Sequence, residues 1–205
     1  LNLKKTKKMA CTALTRGRTL NCNRISGGIK AVYFAVLDQI VAITYDTTAA
    51  PNGVREIDDI DMGSDSIYKY SLPIGTSSLS DNIVGSRENG TIYFTPQINI
   101  VYNKLSKEDQ QEIKLLAATK TVVFAELNQQ LANGHNVIVA LGTTNGMELN
   151  AGTMDSGAAW GDRNGYTLTF DGMEADPFAM VTDYTATPFD NTDSGAQIPI
   201  ISTGL

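Results

Sequence analysis

From Gly142 to Asp176 the chain reads GTTNGMELNAGTMDSGAAWGDRNGYTLTFDGMEAD, short apolar and β-branched runs separated by glycines and Asn-Gly pairs. Both central residues of a type I′ turn need positive φ, which Asn and Gly adopt cheaply. Asn145-Gly146 and Asn164-Gly165 therefore read as two-residue hairpin turns. Tyr166, Thr167, Leu168, Thr169 and Phe170 alternate apolar and polar with period two, as a half-buried strand does. A segment of this texture commits its part of the chain to antiparallel sheet.

The same grammar recurs upstream. Ile29–Tyr45, IKAVYFAVLDQIVAITY, has apolar residues on both sides of an expected turn at Asp38-Gln39, so two adjacent strands are predicted. Val32, Phe34 and Val36 would share one face and Tyr33, Ala35 and Leu37 the other, both covered by protein. Gly27-Gly28 supplies a turn before this run. Ser66–Leu72 and Thr91–Tyr102 are aromatic and β-branched strands. Pro96, which lacks an N–H, places the second of these at a sheet edge or a bulge. Thr121–Leu127 and Asn136–Leu141 form a hairpin around Asn133-Gly134.

One helix interrupts this order. Ser106 can cap its free amides, Asp109 follows three residues on, and Ile113, Leu116 and Ala117 share a face, predicting a helix to about Thr119. The resulting class is mainly β, a sandwich or barrel of antiparallel sheets with one flanking α-helix. It lacks the alternation of strands and helices expected of a dinucleotide-binding fold. A single domain over 28–182 is expected, with an N-terminal arm (1–27), an acidic, turn-rich excursion (46–65) and an extended C-terminal tail (183–205). Gln197–Ser202, QIPIIS, could add to a sheet edge of another copy or lie against its own domain.

Charge narrows the function. The chain of 205 residues has a net charge of −6, with four of its lysines (Lys4, Lys5, Lys7, Lys8) crowded at the start, so the remainder is more acidic still. Such a surface disfavours ordinary nucleic-acid binding, which needs cations on phosphates. No transmembrane run or signal-type apolar segment follows the N-terminal lysines, and a soluble protein of intracellular origin is expected. Cys11, Cys22 and the single His135 are spaced like no metal site, so neither metal nor cofactor is expected. No nucleophile elbow or phosphate loop occurs. After Asp162 an EF-hand would need Glu at its twelfth position, where Met173 stands. The expectation is a protein that is not an enzyme.

Met9-Ala10-Cys11, Leu14-Thr15-Arg16-Gly17, Cys22 and Gly27-Gly28-Ile29-Lys30 with Val32-Tyr33-Phe34 are similar to the opening of phage structural proteins. The second half, strand, helix, strand and then Gly142–Asp176 with Asp162, Asn164-Gly165-Tyr166 and Thr167–Phe170, resembles the tube-forming β-sandwich of tailed-bacteriophage major tail tube proteins. That resemblance implies a virion protein made in the host cytoplasm, whose copies join as hexameric rings stacked into a tube. Genomic DNA would pass through the lumen without specific binding, other tail proteins would be partners, and no membrane is involved. It also implies contact with an adjacent ring through an insertion between early strands. Val54, Ile57, Asp59, Ile60, Met62, Pro96, Ile198 and Ile200 are the inter-subunit contacts expected from the excursion, the presumed edge and the C-terminal segment. A head–tail connector, a capsid-associated protein or a carbohydrate-binding sandwich are the alternative expectations.

Overall fold

The structure, a computed structural model, describes residues 17–20, 25–46, 55–190 and 198–202. The strands are β1 (Ile29–Val36), β2 (Ala42–Tyr45), β3 (Glu56–Asp61), β4 (Ile67–Ser71), β5 (Ser78–Ser86) and β6 (Thr91–Asn103). After the helix α1 (Lys107–Leu116) come β7 (Thr121–Gln130), β8 (Asn136–Leu141), β9 (Glu148–Asp155), β10 (Gly165–Asp171), β11 (Ala179–Val181) and β12 (Ile200–Ile201). They form an eight-stranded sheet, β12-β4-β1-β7-β8-β11-β3-β2, and a wholly antiparallel four-stranded sheet, β5-β6-β10-β9.

The larger sheet cannot be flat. β1 and β2 are joined by five residues, which reach at most about 20 Å. They stand third and eighth in the strand order, five spacings of about 4.8 Å apart. The sheet therefore curls, and its concave face closes around a core. Tyr33 and Ala35 of β1, Phe124 of β7, Ile138 of β8, Val181 of β11 and Ile57 of β3 meet there. Its other face packs on the smaller sheet, where Val32, Phe34, Val123 and Val139 meet Ile98, Ile100, Tyr166, Leu168 and Phe170. The two faces expected of β1 are thus both covered. β1 pairs with β4 and β7, however, and the adjacent β1–β2 pair expected from sequence is replaced by a β2 that pairs with β3 at the far edge.

Half of the 46–65 excursion is interior. β3 pairs antiparallel with β2 and parallel with β11. Ile57 and Ile60 are three apart, which in a regular strand would set them on opposite faces. The β2–β3 register shifts between Thr44 and Tyr45, so Asp59 faces Thr44 while Ile57 faces Tyr45, and both isoleucines enter one core. Residues 47–54 lie outside the described residues, as do Cys11 and Cys22.

Two turn expectations are corrected. Asn145-Gly146 joins β8 to β9, which belong to different sheets, so it is a corner and not a hairpin turn. The carboxylate of buried Glu174 accepts the N–H groups of Thr144 and Asn145 there. Asn164-Gly165 is no two-residue turn either: β9 and β10 pair, but through a longer loop, and Gly165 is the first residue of β10. A Cβ on Gly165 would lie 1.9 Å from the Tyr102 carbonyl oxygen, so glycine is required there by close approach. The turn at Asn133-Gly134 does close the β7–β8 hairpin, with Gly134 at φ +85°.

Helix α1 starts as expected, Ser106 accepting the Asp109 N–H at 3.0 Å, with Ile113 buried. Pro96 lies in an interior strand, not at an edge. Its carbonyl accepts the Gly172 N–H at 3.1 Å, and Phe94 and Glu174 exchange both bonds two residues on. The proline thus forfeits one ladder bond, just past the end of β10, while the β5 side of the strand stays paired.

The described residues after 182 also belong to the fold. Tyr184, Phe189 and Ile198 are buried in the inner core, and β12 pairs parallel with β4. Phe189 has φ +67°, uncommon for a bulky residue, and its ring stands edge-on to Tyr33 and Phe124 at 5.2 Å each. Asp190 fixes that backbone by accepting the N–H groups of Thr185, Ala186 and Thr187 and the Thr185 hydroxyl.

Phe189→Ala should cost about 3–5 kcal/mol in denaturant unfolding, since it empties an aromatic site in a closed core. Burial would raise the Asp190 pKa, but those four hydrogen bonds outweigh it and bring it down to about 2. An unfolded Asp titrates near ~3.9. The stabilisation is therefore full above about pH 4 and is lost as pH falls through about 2. Asp190→Asn should lower Tm at neutral pH, and its difference from wild type should vanish towards pH 2 in thermal melts.

Candidate functional site

The eight residues expected at a subunit interface are not brought together. Ile57, Ile60, Met62 and Ile198 are buried in the protomer's own inner core, and Pro96 is buried in β6, so none of these five side chains is available to a neighbour. Asp59 and Ile200 are half-buried, on β3 and β12 near opposite ends of the larger sheet. Val54 lies outside the described residues. What presents itself instead is the four-stranded sheet.

Its two edges are long and bare. β5 (SLSDNIVGS) spans nine residues and β9 (ELNAGTMD) eight, neither carrying Lys, Arg or Pro. Edge strands in monomers are normally blunted by such residues, by brevity or by a covering element. The larger sheet does end in brief strands, β12 with two residues and β2 with four. β5 and β6 also overshoot the rest of the sheet. Past the Phe94–Glu174 bridge they pair only with each other, through Val84–Tyr93, Gly85–Ile92 and Ser86–Thr91. Ile83 and Ile92 continue the face on which Leu79 and Ile98 cover the core, but they are 68% and 66% exposed. Only Leu79 of β5 packs on that core, which is why the sequence offers little apolar signal for this strand.

The sheet's outer face is polar and open. Register places Ser80, Gln97, Asp171 and Glu148 in one row and Ser78, Asn99, Thr169 and Ala151 in the next, with Thr167 and Thr153 beyond. The strands contribute no Lys or Arg to it. At one end it dips into an open trough of about 570 Å³ with Asn82, Thr95, Gln97, Glu148, Asn150 and Asp171 among its walls. Lys120 reaches in from the other sheet to Glu148 at 3.2 Å, and Asn150 donates to Asp171 at 2.8 Å. Its polar lining is made of amides, the Thr95 hydroxyl, the Glu148 and Asp171 carboxylates and Lys120. Among the described residues no three His, Cys, Asp or Glu side chains are placed to hold a metal ion. None of the described helices is long and apolar enough to cross a membrane.

The loop 156–164 between β9 and β10 carries Trp160 fully exposed. It is held from within: the Asp162 carboxylate accepts the Ala158 and Ala159 N–H groups at 3.0 and 2.7 Å, which lowers its pKa. His135, beside the Asn133-Gly134 turn, is half-buried. Its ring packs on Tyr184 at 4.6 Å and its Nε2 lies 2.8 Å from the Thr185 carbonyl.

The strongest buried charge lies elsewhere. Glu126, 2% exposed, accepts Lys30 Nζ at 2.7 Å on one oxygen and the Tyr33 hydroxyl at 2.8 Å on the other. Lys30 also donates to Asn136 at 2.9 Å. Its ammonium is held above the usual range, chiefly by the Glu126 hydrogen bond. Burial, followed by the Glu126 charge, pushes the Tyr33 hydroxyl up as well. Both carboxylate oxygens are engaged, so the group acts as a clamp between β1 and β7. Lys30→Met should lower unfolding stability by about 3 kcal/mol, because it leaves Glu126 buried without its cation. Equilibrium denaturation checks this, and a change below about 1 kcal/mol would show that the pair is not a clamp.

No protein family, curated protein or solved structure matches the chain.

Proposed function

We propose that this protein is a structural subunit of a phage virion whose copies join as rings, stacked into a tail tube. The observation that carries the reading is the pair of long edges, without Lys, Arg or Pro, on one small sheet. A sheet with two open edges joins edge to edge in a heterologous contact, and such contacts close into rings when the rotation per copy allows. Strand direction alternates along β5-β6-β10-β9, so β5 and β9 run oppositely. Copies standing the same way up would set β5 of one antiparallel to β9 of the next, and the alternation would continue without a break.

Two further features support it. Among the described residues the apolar overshoot of the β5–β6 ribbon lacks a covering layer, and a two-stranded ribbon is marginal alone in water. The open polar face, whose strands carry Asp171 and Glu148 but no Lys or Arg, suits the wall of a passage for DNA, since the cations at its margins, Lys120 and Arg163, are already engaged by Glu148 and the Thr167 hydroxyl.

In electron micrographs the purified protein should form rings or rods. Ser80→Lys with Thr153→Lys puts a lysine on each bare edge, from side chains that point off the polar face. The double variant should keep its circular dichroism spectrum and sediment as a monomer. Wild-type protein that stays monomeric at high concentration would sink the reading.

A further inference from the structure

A second exposed apolar feature has a counterpart elsewhere on the same chain. Between α1 and the β1–β4 pair lies a groove of about 230 Å³ walled by Phe34, Tyr68, Tyr70, Leu115 and Leu116, with Glu112 among its lining residues. It is smaller than the ~300–1,000 Å³ usual for small-molecule sites, and the right scale for one large side chain. We propose that Trp160 of one copy seats in this groove on the next copy and forms the axial contact between stacked rings. This rests on the assembly proposed above and names the residues that would carry stacking.

Three observations point to a second copy as the occupant. The first is position. The Trp160 loop leaves the sheet where Gly165 pairs with Asn103 and Asp155. The groove reaches Thr121, which pairs with Val36 and bridges Met147. A Cβ on Gly172, just past the other end of β10, would meet the Met147 sulfur. Plug and socket thus sit on separate elements of the fold, the β9–β10 loop and the groove between α1 and the β1–β4 pair, as a head-to-tail contact between identical copies requires.

The second is preorganisation. Asp162 and Asp155 bind the loop's own N–H groups, so little ordering cost remains when Trp160 docks. A fully exposed tryptophan on such a loop is the residue type that dominates protein interfaces.

The third is charge. Arg163 stands three residues from the plug, and its charge complements the acidic rim of the groove. Burial first, then the charges of Glu112 and Asp109, push the Tyr70 hydroxyl up to about 12, so both acids act on the groove's wall. Such complementarity orients an apolar plug at little energetic cost.

Trp160 is the only tryptophan of the chain, so its fluorescence reports this contact alone. Trp160→Ala removes the plug and keeps the groove, whereas Leu115→Asp keeps the plug and charges the groove's rim. Both side chains are exposed, so each variant should retain the wild-type circular dichroism spectrum and Tm. As wild-type rods form, emission should shift to the blue and iodide quenching should fall several-fold. Either variant alone should stop at rings, and Leu115→Asp should keep solvent-type emission. An equimolar mixture of the two should regain the blue shift, because the remaining tryptophan and the intact groove then sit on different chains.

Rods with solvent-type tryptophan emission would overturn the plug and leave the assembly reading standing. So would a blue shift that survives in Leu115→Asp or is not restored in the mixture, since Trp160 would then seat on another surface or another partner. A wild-type chain that is monomeric in sedimentation at every concentration would overturn the assembly reading, and this contact with it.

Discussion

Everything in the fold hangs on β1 and β7 being buried on both faces at once. Val32, Phe34, Val123 and Ala125 belong to the core between the sheets, while Tyr33, Ala35, Val122 and Phe124 belong to the core inside the curl. Because successive side chains in a strand point opposite ways, a slip of one residue would exchange the contents of the two cores. Small and large residues are divided so that only one register packs. On the concave side Ala31 and Ala35 flank Tyr33, leaving room for Phe189 to stand between Tyr33 and Phe124. The Glu126 clamp adds a polar lock where the apolar run ends, since a slipped register would leave its carboxylate buried without Lys30 or Tyr33.

This dependence explains what the sequence made legible. Continuous apolar runs report strands covered on both sides, and Ile29–Val36, Thr121–Leu127 and Asn136–Leu141 were readable for that reason. Ser106 was readable because capping is a local interaction between residues close in sequence. Asn145-Gly146 misleads because positive φ is all that an Asn-Gly pair encodes; whether the chain turns back on its neighbour or crosses to another sheet depends on Glu174, about thirty residues away. Gly165 misleads in another way. Its glycine answers to the backbone of β6, a contact that no local pattern carries.

The candidate surface was less legible than the core, for a related reason. β3 hides in an acidic stretch because a bulge brings Ile57 and Ile60, at a spacing foreign to strands, to one face. β5 hides because an edge strand with only Leu79 packed on the core has little apolar signal to show. Sequence periodicity records burial within the folded chain. Surfaces outside that burial leave only exposed side chains such as Ile83, Ile92 and Trp160, which read like ordinary loop residues until the fold shows them uncovered among the described residues.

The two sheets end differently, and that difference bears on function more than any single side chain. The larger one curls around its core and finishes in strands of two and four residues, which offer little to a partner. The smaller one finishes in strands of nine and eight residues whose charges are confined to the β9 ends and to half-buried Asp81 in β5. A monomer under pressure to stay soluble would be expected to blunt the longer edges first. Here they are left open, while the face between them is kept polar and the chain's net charge negative. Long edges together with a face whose strands carry carboxylates but no Lys or Arg are what the proposed joining of identical copies around a polyanion would use. At physiological salt, screening confines that repulsion to roughly 8 Å. The outer face itself, more than the acidic body behind it, would therefore decide how freely such a passage conducts.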